Sequence, residues 1–150
     1  MNTGHLHALV WRHSQVESQV TSAPVVSIVD DDPSVRDGIV DLVRAMGFDV
    51  EAFECGEQFL QSSRLNSTSC LITDMCMPGM TGLDLHDRLI ASGKTCPTIV
   101  VTAFPKEADR VRALRAGVIC YLAKPFDHRE LVGCIMSALG LGAAADKKRS

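Results

Sequence analysis

Residues 25–33 read Val25-Val26-Ser27-Ile28-Val29-Asp30-Asp31-Asp32-Pro33. The β-branched run at the start predicts a short strand buried on both faces, the kind found inside a parallel sheet. The three acids end it. Asp32 followed by Pro33 predicts an N-cap with proline at the first helical position. Ile39, Leu42, Val43 and Met46 then recur at helical spacing, and Gly47 supplies the stop.

The same strand-then-helix unit repeats along the chain. Asp49 to Phe53 reads as a strand, followed by a helical stretch carrying Gln58, Phe59, Leu60 and Leu65. Cys70-Leu71-Ile72-Thr73 reads as a third strand ending at Asp74, and Thr81-x-x-Asp84 predicts a capping box for a helix with Leu85, Leu89 and Ile90 on one side. Thr98 to Val101 is a fourth strand, followed by a helix with Val111, Leu114 and Ala116. Cys120 to Ala123 is a fifth, and Asp127-x-x-Glu130 caps a last helix through Leu131, Ile135 and Leu139. Five strands alternating with five helices predict an α/β, doubly wound, five-stranded parallel sheet with right-handed crossovers and helices on both faces.

The 150 residues fit one domain, expected over 24–140, between a polar extension at 1–23 and a tail at 141–150. At 46% hydrophobic the chain has ample material for a core, and a net charge of -3 gives no electrostatic case for nucleic-acid or membrane binding. No apolar run approaches a membrane span, and Leu6 to Trp11 is too short and too interrupted for a signal sequence. Six cysteines occur without a C-x-x-C pair, and a core of this size needs no staples. They are therefore expected as reduced thiols in a cytoplasmic protein. His5, His7 and His13 lack cysteine or acidic partners at ligand spacing, and Lys147-Lys148-Arg149 reads as a solubilising end.

In an open parallel sheet, ligands bind outside the carboxyl ends of the strands. Strand one ends in Asp30 and Asp31, strand three in Asp74, strand four in Thr102 and strand five in Lys124. Clustered carboxylates repel unless a cation compensates, and hard oxygen ligands suit Mg²⁺. One carboxylate can then serve as nucleophile toward a phosphoryl group, while a lysine and a hydroxyl hold its oxygens.

The stretches Val29-Asp30-Asp31-Asp32, Thr73-Asp74-Met75-Cys76-Met77-Pro78-Gly79, Val101-Thr102-Ala103 and Ala123-Lys124-Pro125-Phe126 resemble, in order and separation, the four signatures of bacterial response-regulator receiver domains. The resemblance covers roughly residues Val25 to Leu139. It implies a (βα)5 flavodoxin-like fold with strand order 2-1-3-4-5. It also implies phosphorylation on Asp74, with Mg²⁺ (or Mn²⁺ in its place) ligated by Asp31, Asp74 and the backbone carbonyl of Cys76, Asp30 assisting through water. Thr102 and Lys124 would contact the phosphoryl group, the Lys124-Pro125 bond would be cis, and Tyr121 would be the aromatic switch. Cys76 and Phe104 fall at variable flanking positions that influence dephosphorylation in the family.

The implied partners are a histidine kinase or phosphotransfer protein as donor and an unknown downstream protein. That protein, or a second copy in a homodimer, would meet the surface built from the fourth helix, fifth strand and fifth helix. Such a domain is a phosphoacceptor and not an enzyme in the ordinary sense, catalysing only its own phosphorylation and dephosphorylation. The wording of Met75 to Gly82 and of Lys124 to Phe126 is similar to receivers of the nitrogen-fixation regulator type, which usually drive a helix-turn-helix output domain. No such domain follows Leu139, so either partner contact replaces direct promoter binding or the sequence is part of a longer protein.

Three rival readings have distinct marks. An aspartate-nucleophile phosphohydrolase usually places a second acid two residues after the nucleophile, where Cys76 stands here, and carries a cap domain. A flavin-binding relative would show a Ser/Thr/Gly phosphate loop after strand one. A phosphorylation-independent interaction module would lack site residues, and none is missing.

Overall fold

The computed structural model describes residues 23–141. The expected N-terminal extension, apart from Ala23, and the stretch from residue 142 lie outside the described residues. Strands β1 (Val25–Val29), β2 (Asp49–Phe53), β3 (Cys70–Asp74), β4 (Thr98–Thr102) and β5 (Cys120–Ala123) alternate with helices α1 (Pro33–Ala45), α2 (Gly56–Leu60), α3 (Gly82–Ala91), α4 (Glu107–Arg115) and α5 (His128–Ala138). All strand pairings are parallel, in the order β2-β1-β3-β4-β5. The fold is therefore the doubly wound sheet the alternation predicts, in the flavodoxin-like strand order the resemblance implies.

Strand alternation sorts the core into layers. Val26, Ile28, Cys70, Ile72, Ile99 and Val101 face one side and pack under Ile39 and Val43 of α1 and Leu131 and Ile135 of α5. Val29 and Leu71 face the other side, against Phe59 of α2 and Leu85 and Leu89 of α3. Val100 joins them there, beneath Leu83 of α3 and Ala113 of α4. β1, β3 and β4 are buried on both faces, so their side chains alternate between two apolar layers and the sequence reads as continuous hydrophobic runs.

The helix ends follow the residue chemistry. The Asp32 carboxylate accepts from the amides of Ser34 (2.9 Å) and Val35 (3.4 Å), and Gly47, at φ 89°, closes α1 in the left-handed region. Thr81 with Asp84 and Asp127 with Glu130 form reciprocal capping boxes at α3 and α5. Among the described residues no helix is long and apolar enough to cross a membrane.

Three sequence expectations need correction. The helical stretch read through Leu65 stops at Leu60. Leu65 instead opens a separate 3-10 turn, Leu65–Ser67, and packs from there against the Phe59 cluster. Ile90 and Leu114 point outward, 52% and 42% exposed. Gly82, Leu83 and His86 fill the inner face of α3, and the small Ala113 lets α4 approach the sheet. The third concerns cysteine. Cys120 on β5 and Cys134 on α5 form a disulfide, their Cα atoms 6.2 Å apart. The packing of α5 over the sheet brings this pair together. Cys55, Cys70, Cys76 and Cys96 are free.

Candidate functional site

The carboxyl ends of β1, β3, β4 and β5 meet at one rim. Parallel pairing sets Val29 beside Thr73, Asp74 beside Val101 and Thr102 beside Ala123, so the residues just past these positions converge. Asp30 and Asp74 are buried, at 1% and 5% exposure, while Asp31 is exposed. One ligand oxygen from each of the three carboxylates lies within 4.8 Å of the others.

The two buried acids are anchored through the backbone. The Asp30 amide donates to the Phe53 carbonyl (3.1 Å), and its carboxylate accepts from the Asp32 amide (2.9 Å). Arg36 from α1 donates through Nη1 to the Asp30 carbonyl at 2.7 Å. Asp74 Oδ1 accepts from the Cys76 amide at 3.3 Å. Gly82 presses directly on the Asp74 main chain, where a Cβ would collide with the Asp74 carbonyl oxygen. Of these anchors, Arg36 and Gly82 carry no assigned role in the sequence reading. Arg36 reads as an ordinary solvated helix position, and only the glycine within the Met75–Gly82 stretch offered a signal.

Lys124 reaches into the acids from beyond β5. Its Nζ lies 3.1 Å from Asp30 Oδ2 and 3.3 Å from Asp74 Oδ2. The Lys124 amide donates to the Thr102 carbonyl at 2.7 Å, and the Lys124-Pro125 peptide is cis. Burial pushes the Asp74 carboxyl above the usual carboxylate range, and the Asp30 charge pushes it further. Lys124 and the Cys76 amide pull it back only in part. Burial works against the Lys124 charge, yet the two carboxylates outweigh it and hold the ammonium above the ordinary lysine range.

Thr102 is fully buried. Its hydroxyl oxygen accepts from the Phe104 amide at 3.0 Å and stands 4.0 Å from Cys76 Sγ, on the Asp74 side of the rim. Tyr121 is placed differently. It pairs with Val100, packs against Met75, Leu83, Ala113 and Val118, and its hydroxyl accepts from the Lys106 amide at 3.4 Å. The structure thus joins Asp30, Asp31, Asp74, Cys76, Thr102 and Lys124 in one pocket and sets Tyr121 behind it, against α4.

One ammonium among three carboxylates leaves the pocket with excess negative charge, and its donors are hard oxygens. Both features fit a divalent cation of the magnesium type.

Comparison with known proteins gives a consistent answer. The chain matches the family described as response regulator receiver domain over residues 26–136. It is 32% identical over 139 residues to nodulation protein W of Bradyrhizobium diazoefficiens, covering 93% of this chain and 60% of that protein. It is 37% identical over 119 residues to response regulator protein TodT of Pseudomonas putida, covering 79% of this chain and 52% of that protein. The chain thus spans little more than half the length of these curated relatives. Among solved structures, response regulator StyR superposes with a TM-score of 0.73 at 41% identity, covering 85% of this chain and 64% of that one. FixJ-N superposes at 0.70 with 29% identity, covering 78% and 94%.

Proposed function

This chain belongs to the response regulator receiver domains of two-component systems, and from that premise we propose that it accepts a phosphoryl group on Asp74. The donor is the phosphohistidine of a histidine kinase or phosphotransfer protein, and the compartment is the cytosol. The observation that carries the reading is the position of Lys124, whose ammonium bridges Asp30 and Asp74 across the sheet rim. A lysine so placed counters the charge of the acceptor and can follow a phosphoryl oxygen once the acceptor is esterified.

An Asp74 carboxylate oxygen forms the new P–O bond as the donor's P–N bond breaks, the electron pair leaving on the imidazole nitrogen. Lys124 and the Thr102 hydroxyl bind phosphoryl oxygens. The Cys76 amide, already on Asp74 Oδ1, holds the acceptor in line. Asp31, Asp74 and the Cys76 carbonyl would hold Mg²⁺ (or Mn²⁺), with Asp30 assisting through water. The cation there supplies charge neutralisation for the transferring group.

Phosphorylation draws Thr102 and Lys124 toward the new group and biases the surface of α4, β5 and α5, where Tyr121 sits. Leu114 and Ile119, 42% and 41% exposed beside β5, support that surface as the contact for a downstream partner or a second copy.

Intact mass after incubation with acetyl phosphate, with and without Mg²⁺, tests the reading. One added phosphoryl group that requires both Mg²⁺ and Asp74, and is lost in Asp74→Ala, is the expected result. A folded protein that gains nothing from acetyl phosphate or from a phosphorylated kinase would overturn it and leave a phosphorylation-independent interaction module.

A further inference from the structure

We propose that Cys120 and Cys134 form a reversible thiol–disulfide site that fastens edge strand β5 to α5 and restrains the segment between them. The pair stands apart from the carboxylate pocket. Cys120 opens β5 beside Ile99, at the strand end opposite Lys124, and Cys134 lies on the buried face of α5. Their sequence separation is 14, and the loop that the bond closes contains Tyr121, Lys124 and Pro125. A bond across such a loop removes conformations from whatever the loop must do, including a rearrangement of the lysine and tyrosine.

Two observations make the site reversible and not a fixed staple. Both residues belong to the apolar layer around Ile99, Val101, Leu131 and Ile135, so the reduced pair packs there as two small apolar side chains. The fold also has a packed core on both sheet faces, to which the bond is an addition. Cys120 is half-buried while Cys134 is 9% exposed, which makes Cys120 the sulfur open to attack.

Two of the four remaining thiols are poor competitors. Burial pushes the Cys70 thiol up to about 12, the neighbouring Cys96 adding to the effect, and burial pushes Cys96 to about 11.

The chemistry is ordinary exchange with a dithiol reductant. One reductant thiolate attacks the Cys120 sulfur, and the Cys134 sulfur leaves as a thiolate and takes a proton. The reductant's second thiolate then displaces Cys120, which is protonated in turn. Two electrons pass to the protein, and the reductant ends as a disulfide. A low-molecular-weight disulfide runs the sequence backward.

The consequence for switching rests on the phosphoacceptor reading, whereas the tether itself does not. The experiment separates them. The full chain is equilibrated with reduced or oxidised dithiothreitol, its free thiols are alkylated, and peptides are mapped. Oxidation is expected to remove two of the six thiols and to link the Cys120 and Cys134 peptides, with no link in Cys134→Ser or Cys120→Ser.

Amide hydrogen exchange over residues 121–134 is expected to slow by about tenfold in the oxidised form. The slowing should persist in Asp74→Asn and vanish in Cys134→Ser. Phosphoryl uptake from acetyl phosphate should be slower in the oxidised wild type and independent of redox state in Cys134→Ser. An exchange difference that persists while neither redox form takes up phosphate supports the tether and counts only against the phosphoacceptor reading. Six free thiols at every oxidant level, a link between other cysteines, or equal exchange in both forms overturns the proposal.

Discussion

Every residue of β1, β3 and β4 is buried, whereas β5, with a single sheet neighbour, is partly exposed along its length. The candidate site residues divide along the same line. Asp30, Asp74 and Thr102 come from the central strands, and Lys124 and Tyr121 come from the edge. The groups that must repel one another are thus held on buried central strands, while the cation that answers them arrives from a more exposed edge. Local stability in a domain ranges from nearly nothing to the global value, and elements that move are drawn from the low end. On the proposed reading, acids held on central strands facing a lysine from the edge form an element that a new charge at the rim can bias.

Unequal packing should appear first in stability. Ile72→Ala empties a fully buried site beneath α1 and α5 and should cost about 3 to 4 kcal/mol, against about 1 to 2 kcal/mol for the half-buried Leu122→Ala on β5. Urea unfolding measures both, and equal losses would erase the distinction between centre and edge.

Lys124→Ala tests the electrostatic half. It leaves two buried carboxylates unopposed and should cost about 2 kcal/mol at neutral pH, below the full cost of breaking a buried pair because the pocket opens to solvent. The loss should shrink on acidification as Asp74 takes its proton. Melting temperatures of the variant and wild type across pH check this, and a pH-independent loss would mean that packing and not charge made the difference.

How much of this was legible in the sequence depends on the range of the interaction. Asp30, Asp31, Asp74, Thr102 and Lys124 could be read from the chain because each follows an apolar strand, and a parallel sheet puts all such ends on one rim. The capping boxes at Thr81 and Asp127 are local chemistry and were equally readable. Which helical residues face inward was not. Ala113 is buried while Leu114 and Ala108 are exposed, a choice of docking face made by the neighbouring surface. The same holds for His86, buried on α3 and depressed in pKa by that burial. Cys120 and Cys134 meet only because α5 packs back over the edge strand, and neither their spacing nor their neighbours records that.

Asp74→Asn should stabilise the protein at neutral pH. The folded-state pKa of Asp74 lies above its unfolded value, so the folded chain binds the proton more tightly. Wild-type stability therefore falls as pH rises from near 3.8 through the raised value and then levels off. The asparagine variant lacks that descent, so its advantage should grow over the same window and hold at higher pH. Mg²⁺ should reverse the order by stabilising the wild type, by about 2.7 kcal/mol at a hundredfold excess over its dissociation constant, and the variant much less. Melting curves with and without Mg²⁺ read both signs, and a variant less stable than wild type in the absence of cation would contradict the repulsion at the rim.

The smallest effect is expected at Tyr121→Phe. The hydroxyl accepts one long bond from the Lys106 amide at the protein surface, where water can replace it, so its loss should cost less than about 0.5 kcal/mol. The ring, packed on Leu83, Ala113 and Val118, remains in the variant. If β5 is the yielding edge, the variant melts with the wild type, and any change is confined to hydrogen exchange in the loop from Phe104 to Lys106. A loss above about 1 kcal/mol would show that the hydroxyl fastens the edge strand to α4. In that case the aromatic would be a latch held shut in the unphosphorylated protein, and the movable side of the molecule would shrink to Lys124 alone.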